Sequence, residues 1–193
     1  WAALPFGQRV EMVRRFGNQI RNSQEQLADL MSRETGRPLW DTRAEVAAMA
    51  ARVDLAVTAA SERAGQRQSE GAMGARQMMR HRPHGVVAVI APHAQAGQIL
   101  SDAASAALVA GNGVILKPSD KTPAIAEALM HLLHAAGMPS GLVRCVFGGP
   151  EAGEALAQDP AVNTVLYTGT AQNGLAVARA CASQPHKVLS LAM

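Results

Sequence analysis

The stretch "VVAVIAPHAQAGQIL", Val86 to Leu100, decides the fold. It begins as an unbroken apolar run, the pattern of a strand covered on both faces. The run stops at Pro92, and His93, Ala94, Gln95 and Ala96 follow before a new apolar pattern of helical period begins near Gln98. A buried strand leading through a short turn into a helix is the unit from which parallel α/β sheets are wound. In such sheets, ligands bind at the carboxyl ends of the strands.

The same texture repeats to the end of the chain. "GVILKPS" leads to a helix opening at Thr122-Pro123 and ending at Gly137. "GLVRCVFG" leads to a short helix around Glu151 to Ala157, and "NTVLYTG" to a helix from Ala171 to about Ser183. "KVLSLAM" closes the sequence. Five strands with four helical crossings predict a doubly wound α/β fold with a mainly parallel five-stranded sheet.

Upstream the texture is helical. Val10, Val13, Phe16 and Ile20 share one face of a first helix. Ser23 and Gln26 read as a capping box for a second, which Gly36 and Pro38 stop. Asp41 reads as the cap of a third, with Val46, Met49, Val53 and Val57 on its buried side. The stretch from Ala64 to Met73 reads as a loop, and "RQMMRHRPH" as an extended edge strand. The expected organisation is helices over 1–62, a loop and strand over 63–84, and an α/β core over 85–193. The break near residue 84 need not separate two domains, since the first helices can cover the sheet.

Composition narrows the function. The 193 residues are 48% hydrophobic and 17% charged, as folded domains are. No apolar run is long enough to span a membrane, and Trp1 to Pro5 does not resemble a signal peptide. The sequence does not start with Met, so residue 1 is not expected to be the natural start. Cys145 and Cys181 are read as buried free thiols, which fits a cytoplasmic location. The arginines between Arg63 and Arg82 are diluted by Glu62 and Glu70 and carry no aromatic partner, so nucleic-acid binding is not expected. The histidines show no metal-ligand spacing, and His131 and His134 read as a helix surface. The usual glycine fingerprint for dinucleotides is missing, as are a Walker loop and a nucleophile elbow.

Two segments carry candidate chemistry. "ILKPSD" puts Lys117, Ser119 and Asp120 at a strand end, where a cation, a hydroxyl and a carboxylate can hold a ribose and a neighbouring phosphate. On the residues alone, a surface lysine and a turn aspartate are equally good readings. "YTGTAQNG" is a strand end, a glycine turn and a helix start. There Thr170 and free backbone N–H groups can meet an anion, while Gly169 and Gly174 keep side chains out of the way. A plain helix cap is the equal alternative.

Taken together, "APHAQAG", "LKPSD" and "YTGTAQNG", each after a strand, resemble the NAD-binding half of the aldehyde dehydrogenase superfamily. "WAALPFGQRVEMVRRFGNQI" and "LADLMSRETGRPLWDTRAEV" resemble its first helices, and "RHRPHGVVAVIAP" the strand returning from its oligomerisation segment. "RETGRPLW", "RHRPHGV" and "FGGPEAGEAL" are similar to the branch acting on succinylglutamate semialdehyde in arginine catabolism.

The resemblance implies NAD or NADP as cofactor. Lys117, Ser119 and Asp120 would lie at the adenosine ribose, with Asp120 one methylene shorter than the family's glutamate. Thr170 would meet the pyrophosphate in a turn shaped by Gly169 and Gly174, and Ile90, Ala91 and Pro92 would line the nicotinamide end. It also implies what is changed. Ala94 stands where the family keeps an oxyanion-stabilising asparagine, and Ala192 where it keeps a general-base glutamate. The nucleophilic cysteine belongs to a catalytic domain beyond these residues, and neither Cys145 nor Cys181 matches it. His93 occupies an aromatic position of the family and is not expected to replace these groups. The expected function is therefore the cofactor-binding portion of an aldehyde dehydrogenase homologue, inactive by itself. The alternative is a non-catalytic nucleotide-binding or scaffold module. Under either reading, self-association or a partner protein is expected to cover surface that complete family members bury.

Overall fold

The computed structural model describes residues 1–65 and 67–193. Three helices come first: α1 (Phe6–Asn22), α2 (Gln24–Thr35) and α3 (Leu39–Arg63). A hairpin of β1 (Arg67–Glu70) and β2 (Arg76–Met79) follows. Then β3 (Val86–Ile90), α4 (Ala96–Val109), β4 (Gly113–Lys117), α5 (Pro123–Ala135), β5 (Val143–Cys145), α6 (Pro150–Gln158), β6 (Thr164–Thr168), α7 (Ala171–Cys181) and β7 (Val188–Ala192) alternate.

The five later strands form one parallel sheet in the order β5-β4-β3-β6-β7. The doubly wound fold follows from that order. After β3 the chain winds outward through β4 to β5, then returns to the other side of β3 and winds out through β6 to β7. The reversal leaves a crevice between the carboxyl ends of β3 and β6, the switch point at which such sheets bind ligands.

Successive residues of β3 serve opposite cores, because side chains alternate across a strand. Val87 and Val89 point into the larger core, with Val13, Phe16, Met31, Met49, Leu100 and Leu129. Ala88 and Ile90 point into the smaller one, with Leu156, Val165, Tyr167 and Val177. Helices α1 to α5 thus lie on one face of the sheet and α6 with α7 on the other.

The helix starts differ from the sequence reading in an informative way. Ser23 gives α2 no side-chain cap, and α3 starts at Leu39 after Pro38, with Asp41 already inside its first turn. Asp41 instead accepts a hydrogen bond from Arg37 Nε at 2.8 Å. Thr122 precedes α5 but its buried hydroxyl finds no hydrogen-bond partner among the described residues. The cap comes from Glu34 of α2, whose carboxylate accepts from the N–H groups of Ala124 (2.6 Å) and Ile125 (3.0 Å). Helix α4 opens at Ala96, earlier than its periodicity predicts, after a left-handed Gln95 (φ 53°). Its first-turn N–H at Gln98 is met by Glu45 of α3 at 3.1 Å. Both caps are carboxylates, favoured at the positive end of a helix. Both come from residues distant in sequence, which local patterns do not reveal.

The hairpin is a second departure. A strand runs through Arg67–Glu70, where the sequence reads as a loop; that expected loop includes Gln66, which lies outside the described residues. All residues of β1 and β2 are exposed, so no apolar alternation marks them, and the pairing of Arg67 with Met79 through Glu70 with Arg76 holds them instead. The extended segment stops at Met79 and does not run on to His84.

Between α3 and α4, Asp102 faces Arg52 at 3.0 Å. Burial pushes the Asp102 carboxyl up to about 6 from 3.8, with Arg52 opposing the shift. The folded state therefore holds this proton more tightly than the unfolded chain, and its stability falls as pH rises from about 4 to about 6. Asp102→Asn removes that slope. Relative to the parent, the variant is expected to gain about 1 kcal/mol between pH 4 and pH 7.5, the full shift being discounted for solvent still reaching the side chain. Urea titrations at both pH values measure the difference, and parallel curves would show that the carboxyl is not perturbed.

Candidate cofactor site

Three strand ends meet at the switch point. The carboxyl end of β3 brings Ile90, Ala91, Pro92 and His93; that of β4 brings Lys117, Ser119, Asp120 and Lys121; that of β6 brings Tyr167, Thr168, Gly169 and Thr170. Pro150, Gly153 and Glu154 of α6 and Asn173, Ala176 and Val177 of α7 close the sides. The cleft encloses about 290 Å³, near the lower end of the range for ligand pockets.

Each strand end is held in place by backbone bonds. Ala91 N donates to Lys117 O at 3.1 Å, which ties the β3 turn to the β4 turn. Beyond Lys117 the chain turns sharply, with Thr122 N bonded to Ser119 O at 3.1 Å and Lys121 N to Ser119 Oγ at 3.2 Å. Ser119 Oγ also donates to Asp120 Oδ1 at 3.1 Å, which presents hydroxyl and carboxylate together.

Lys117 is only 5% exposed. Its Nζ donates to Pro118 O at 3.1 Å, and no other hydrogen bond of this ammonium is found among the described residues. Burial pushes its pKa below the ordinary lysine value, partly offset by the carboxylates of Asp120 and Glu151. A buried cation with unused donors in a cleft is costly unless an acceptor joins it.

At the third wall, Thr170 caps α7, its Oγ1 accepting from Asn173 N at 3.5 Å. The helix thus presents its first-turn N–H groups to the cleft, where an anion is favoured. The structure brings every site residue expected from sequence to this cleft except Gly174. That glycine is buried behind the wall, where a Cβ would lie 2.5 Å from Met193 Sδ and 3.0 Å from Tyr167 Cε1. A Cβ on Gly169 would lie 2.5 Å from the Tyr167 hydroxyl.

The α6 wall was not among the expected site residues. Gly153 packs where a Cβ would sit 3.6 Å from Ile90 Cδ1, so helix and sheet approach closely. A small residue three positions after Pro150, on the helix following β5, was the available signal. Tyr167 was also missed, although it is the single tyrosine of the sequence and ends an apolar run.

Ala94 and Ala192 lie at the same end of the sheet. Ala94 is exposed in the turn after Pro92, and Ala192 ends β7, where its carbonyl accepts from Gly169 N at 3.0 Å. Cys145 ends β5 half-buried, and burial raises its thiol to about 11. Cys181 is buried at the end of α7, and its thiol is raised by the same cause. Neither lines the cleft, and thiols so shifted are poor nucleophiles at neutral pH. Among the described residues no group of three metal-ligating side chains converges, and no helix is long and apolar enough to cross a membrane.

This arrangement matches a known class. The aldehyde dehydrogenase family model matches residues 1–193, and the chain belongs to that family. The N-succinylglutamate 5-semialdehyde dehydrogenase of Sphingopyxis alaskensis is 47% identical over 193 residues, all of this chain and 40% of that protein. The enzyme of the same name from Novosphingobium aromaticivorans is 42% identical over 193 residues and 41% of its length. The chain thus spans about two-fifths of these curated relatives. In three dimensions it is similar to an NAD-dependent aldehyde dehydrogenase from Sinorhizobium meliloti, with a TM-score of 0.93, 28% identity and coverage of 99% of this chain and 38% of that one. PnpE, solved in complex with nicotinamide adenine dinucleotide, gives a TM-score of 0.92 at 30% identity, with coverage of 99% and 39%.

Proposed function

We propose that these 193 residues are the cofactor-binding portion of an NAD(P)-dependent aldehyde dehydrogenase homologue. The substrate type would be that of the succinylglutamate semialdehyde relatives. We propose further that by themselves they bind the dinucleotide without oxidising an aldehyde. The convergence of the Lys117, Thr170 and Ile90 segments on one cleft at the switch point carries this reading. A dinucleotide fits the chemistry present. Lys117 and Asp120 offer a cation and a carboxylate to ribose hydroxyls, and the α7 N-terminus with Thr170 suits a pyrophosphate. Ile90, Ala91 and Pro92 give the nicotinamide end an apolar wall. The cofactor, when bound, supplies a hydride acceptor.

The expectation of no turnover rests on side chains. At the positions where the family resemblance expects an asparagine and a glutamate, Ala94 and Ala192 have no group that stabilises an oxyanion or moves a proton. Neither cysteine reaches the cleft. The test is calorimetric titration with NAD, run beside an aldehyde-dependent NADH assay. A measurable heat of binding with no NADH is the expected result. Turnover would overturn the inactive reading, and an absence of binding at millimolar NAD would overturn the cofactor reading.

The two alanines also favour a second reading, a non-catalytic scaffold that associates with itself or with a partner. The exposed hairpin, with Met73, Met78 and Met79 open to solvent, and the free edge of β7 support association. Light scattering in the same buffer separates the cases. A monodisperse monomer that fails to bind NAD would leave neither reading standing. A cytoplasmic location accompanies both, in keeping with the two free thiols.

A further inference from the structure

Tyr167 stands at the third wall of the cleft with no role in the account above. It is 6% exposed, the penultimate residue of β6, and its hydroxyl donates to Thr170 O at 2.8 Å. Both neighbouring glycines make room for it. A Cβ on Gly169 would come within 2.5 Å of the hydroxyl and 2.9 Å of Cζ, and one on Gly174 within 3.0 Å of Cε1. Real Cβ contacts do not come as close as the first two. The glycines of "YTGTAQNG" thus make room for the phenol ring beside the turn, at the wall of the cleft.

The bond to Thr170 has a consequence at the cleft. Thr170 O and Ala171 N–H belong to one planar trans peptide and point in opposite directions. Thr170 O is held from behind by the Tyr167 hydroxyl and by Gly174 N at 3.0 Å. Ala171 N–H, the first donor of α7 and one without an intrahelical partner, is thereby turned out towards the cleft that Thr170 and Asn173 line. The Gly174 bond is the first of the helix ladder, and the phenol is a second donor to the same oxygen, the one that comes from outside the helix.

We propose that Tyr167 is a positioning residue for anion recognition, its phenol joining the Gly174 bond in holding the peptide plane that offers Ala171 N–H to the cofactor pyrophosphate. The proposal rests on the cofactor reading given above. It makes the phenol hydroxyl, and not only the helix behind it, a determinant of affinity for phosphate-bearing ligands. Tyr167→Phe keeps the ring and its packing and removes only the hydroxyl.

The test is the affinity of the full chain and of Tyr167→Phe for NAD, ADP-ribose and adenosine, with the melting temperature of each protein measured without ligand. The phosphate-bearing ligands are expected to weaken about fivefold, as the loss of one hydrogen bond allows. Adenosine, which lacks the pyrophosphate, is expected to bind the two proteins within a factor of about two, inside the scatter of single-interaction effects. Equal weakening of all three ligands would mean a general structural role and would overturn the proposal, as would unchanged affinity for ADP-ribose. Failure of the parent chain to bind either phosphate-bearing ligand would instead overturn the cofactor reading and the inference with it.

Discussion

Lys117→Met is expected to weaken NAD binding by about 10- to 100-fold and to leave the unliganded chain at least as stable as before. The two halves share one cause. The Lys117 ammonium is buried at the carboxyl end of β4 with, among the described residues, a single carbonyl partner, Pro118 O at 3.1 Å. Burial lowers its pKa, so the fold disfavours the charged form. Between that lowered value and the unfolded value of 10.5, stability rises with pH, because the unfolded chain holds more protons. Methionine has similar length and no charge, and replacing a buried ion with an apolar residue of like volume is neutral or stabilising. The cofactor loses a charge-assisted hydrogen bond of about 1.5–3 kcal/mol. Isothermal titration and thermal melts on the same samples decide it. Unchanged affinity, or a melt lowered by several degrees, would show that the lysine is structural.

Glu45→Ala has the largest expected cost to stability, about 2–4 kcal/mol. The Glu45 side chain is 2% exposed. One carboxylate oxygen accepts from Gln98 N at the start of α4, and the other is bonded to Arg37. Its loss removes the carboxylate partner of that first-turn N–H and leaves Arg37, itself only 23% exposed, with Asp41 alone. Caps of this kind contribute about 0.5–2 kcal/mol, and breaking a buried pair costs more because the surviving charge loses its partner. Glu45→Gln keeps an acceptor for Gln98 and is expected to lose about half as much. Urea titration ranks the three proteins, and a loss under about 1 kcal/mol for alanine would show that water or a neighbour replaces the carboxylate.

The inner strands of the parallel sheet, β3, β4 and β6, were legible because both of their faces are covered. Runs such as "GVVAVIA" and "NTVLYTG" need apolar residues on both sides, and each is followed by a helix of readable period. Right-handed crossovers then place each connecting helix on one face of the sheet or the other. The cleft was legible through its turns, since Lys117 ends an apolar strand and Asp120 and Thr170 are polar residues just beyond one. Helix α6 and the Tyr167 ring were not legible as parts of the site. Gly153 lies on an amphipathic helix and Tyr167 in an apolar strand, and only tertiary packing places them against the cleft. The first strand of the hairpin escaped for a different reason: a strand exposed on both faces carries no apolar alternation. The caps of α4 and α5 escaped because Glu45 and Glu34 act across sequence separations of 53 and 90 residues, beyond any local motif.

Those two carboxylates also order events in time. A ribosome releases α2 and α3 before it makes α4 or α5, and early segments can fold while later ones are still being synthesised. Glu34 and Glu45 are therefore already outside the exit tunnel when the N-termini they receive emerge. Each later helix meets an acceptor for its first free N–H groups as it appears, which offsets part of the unfavourable nucleation of a helix.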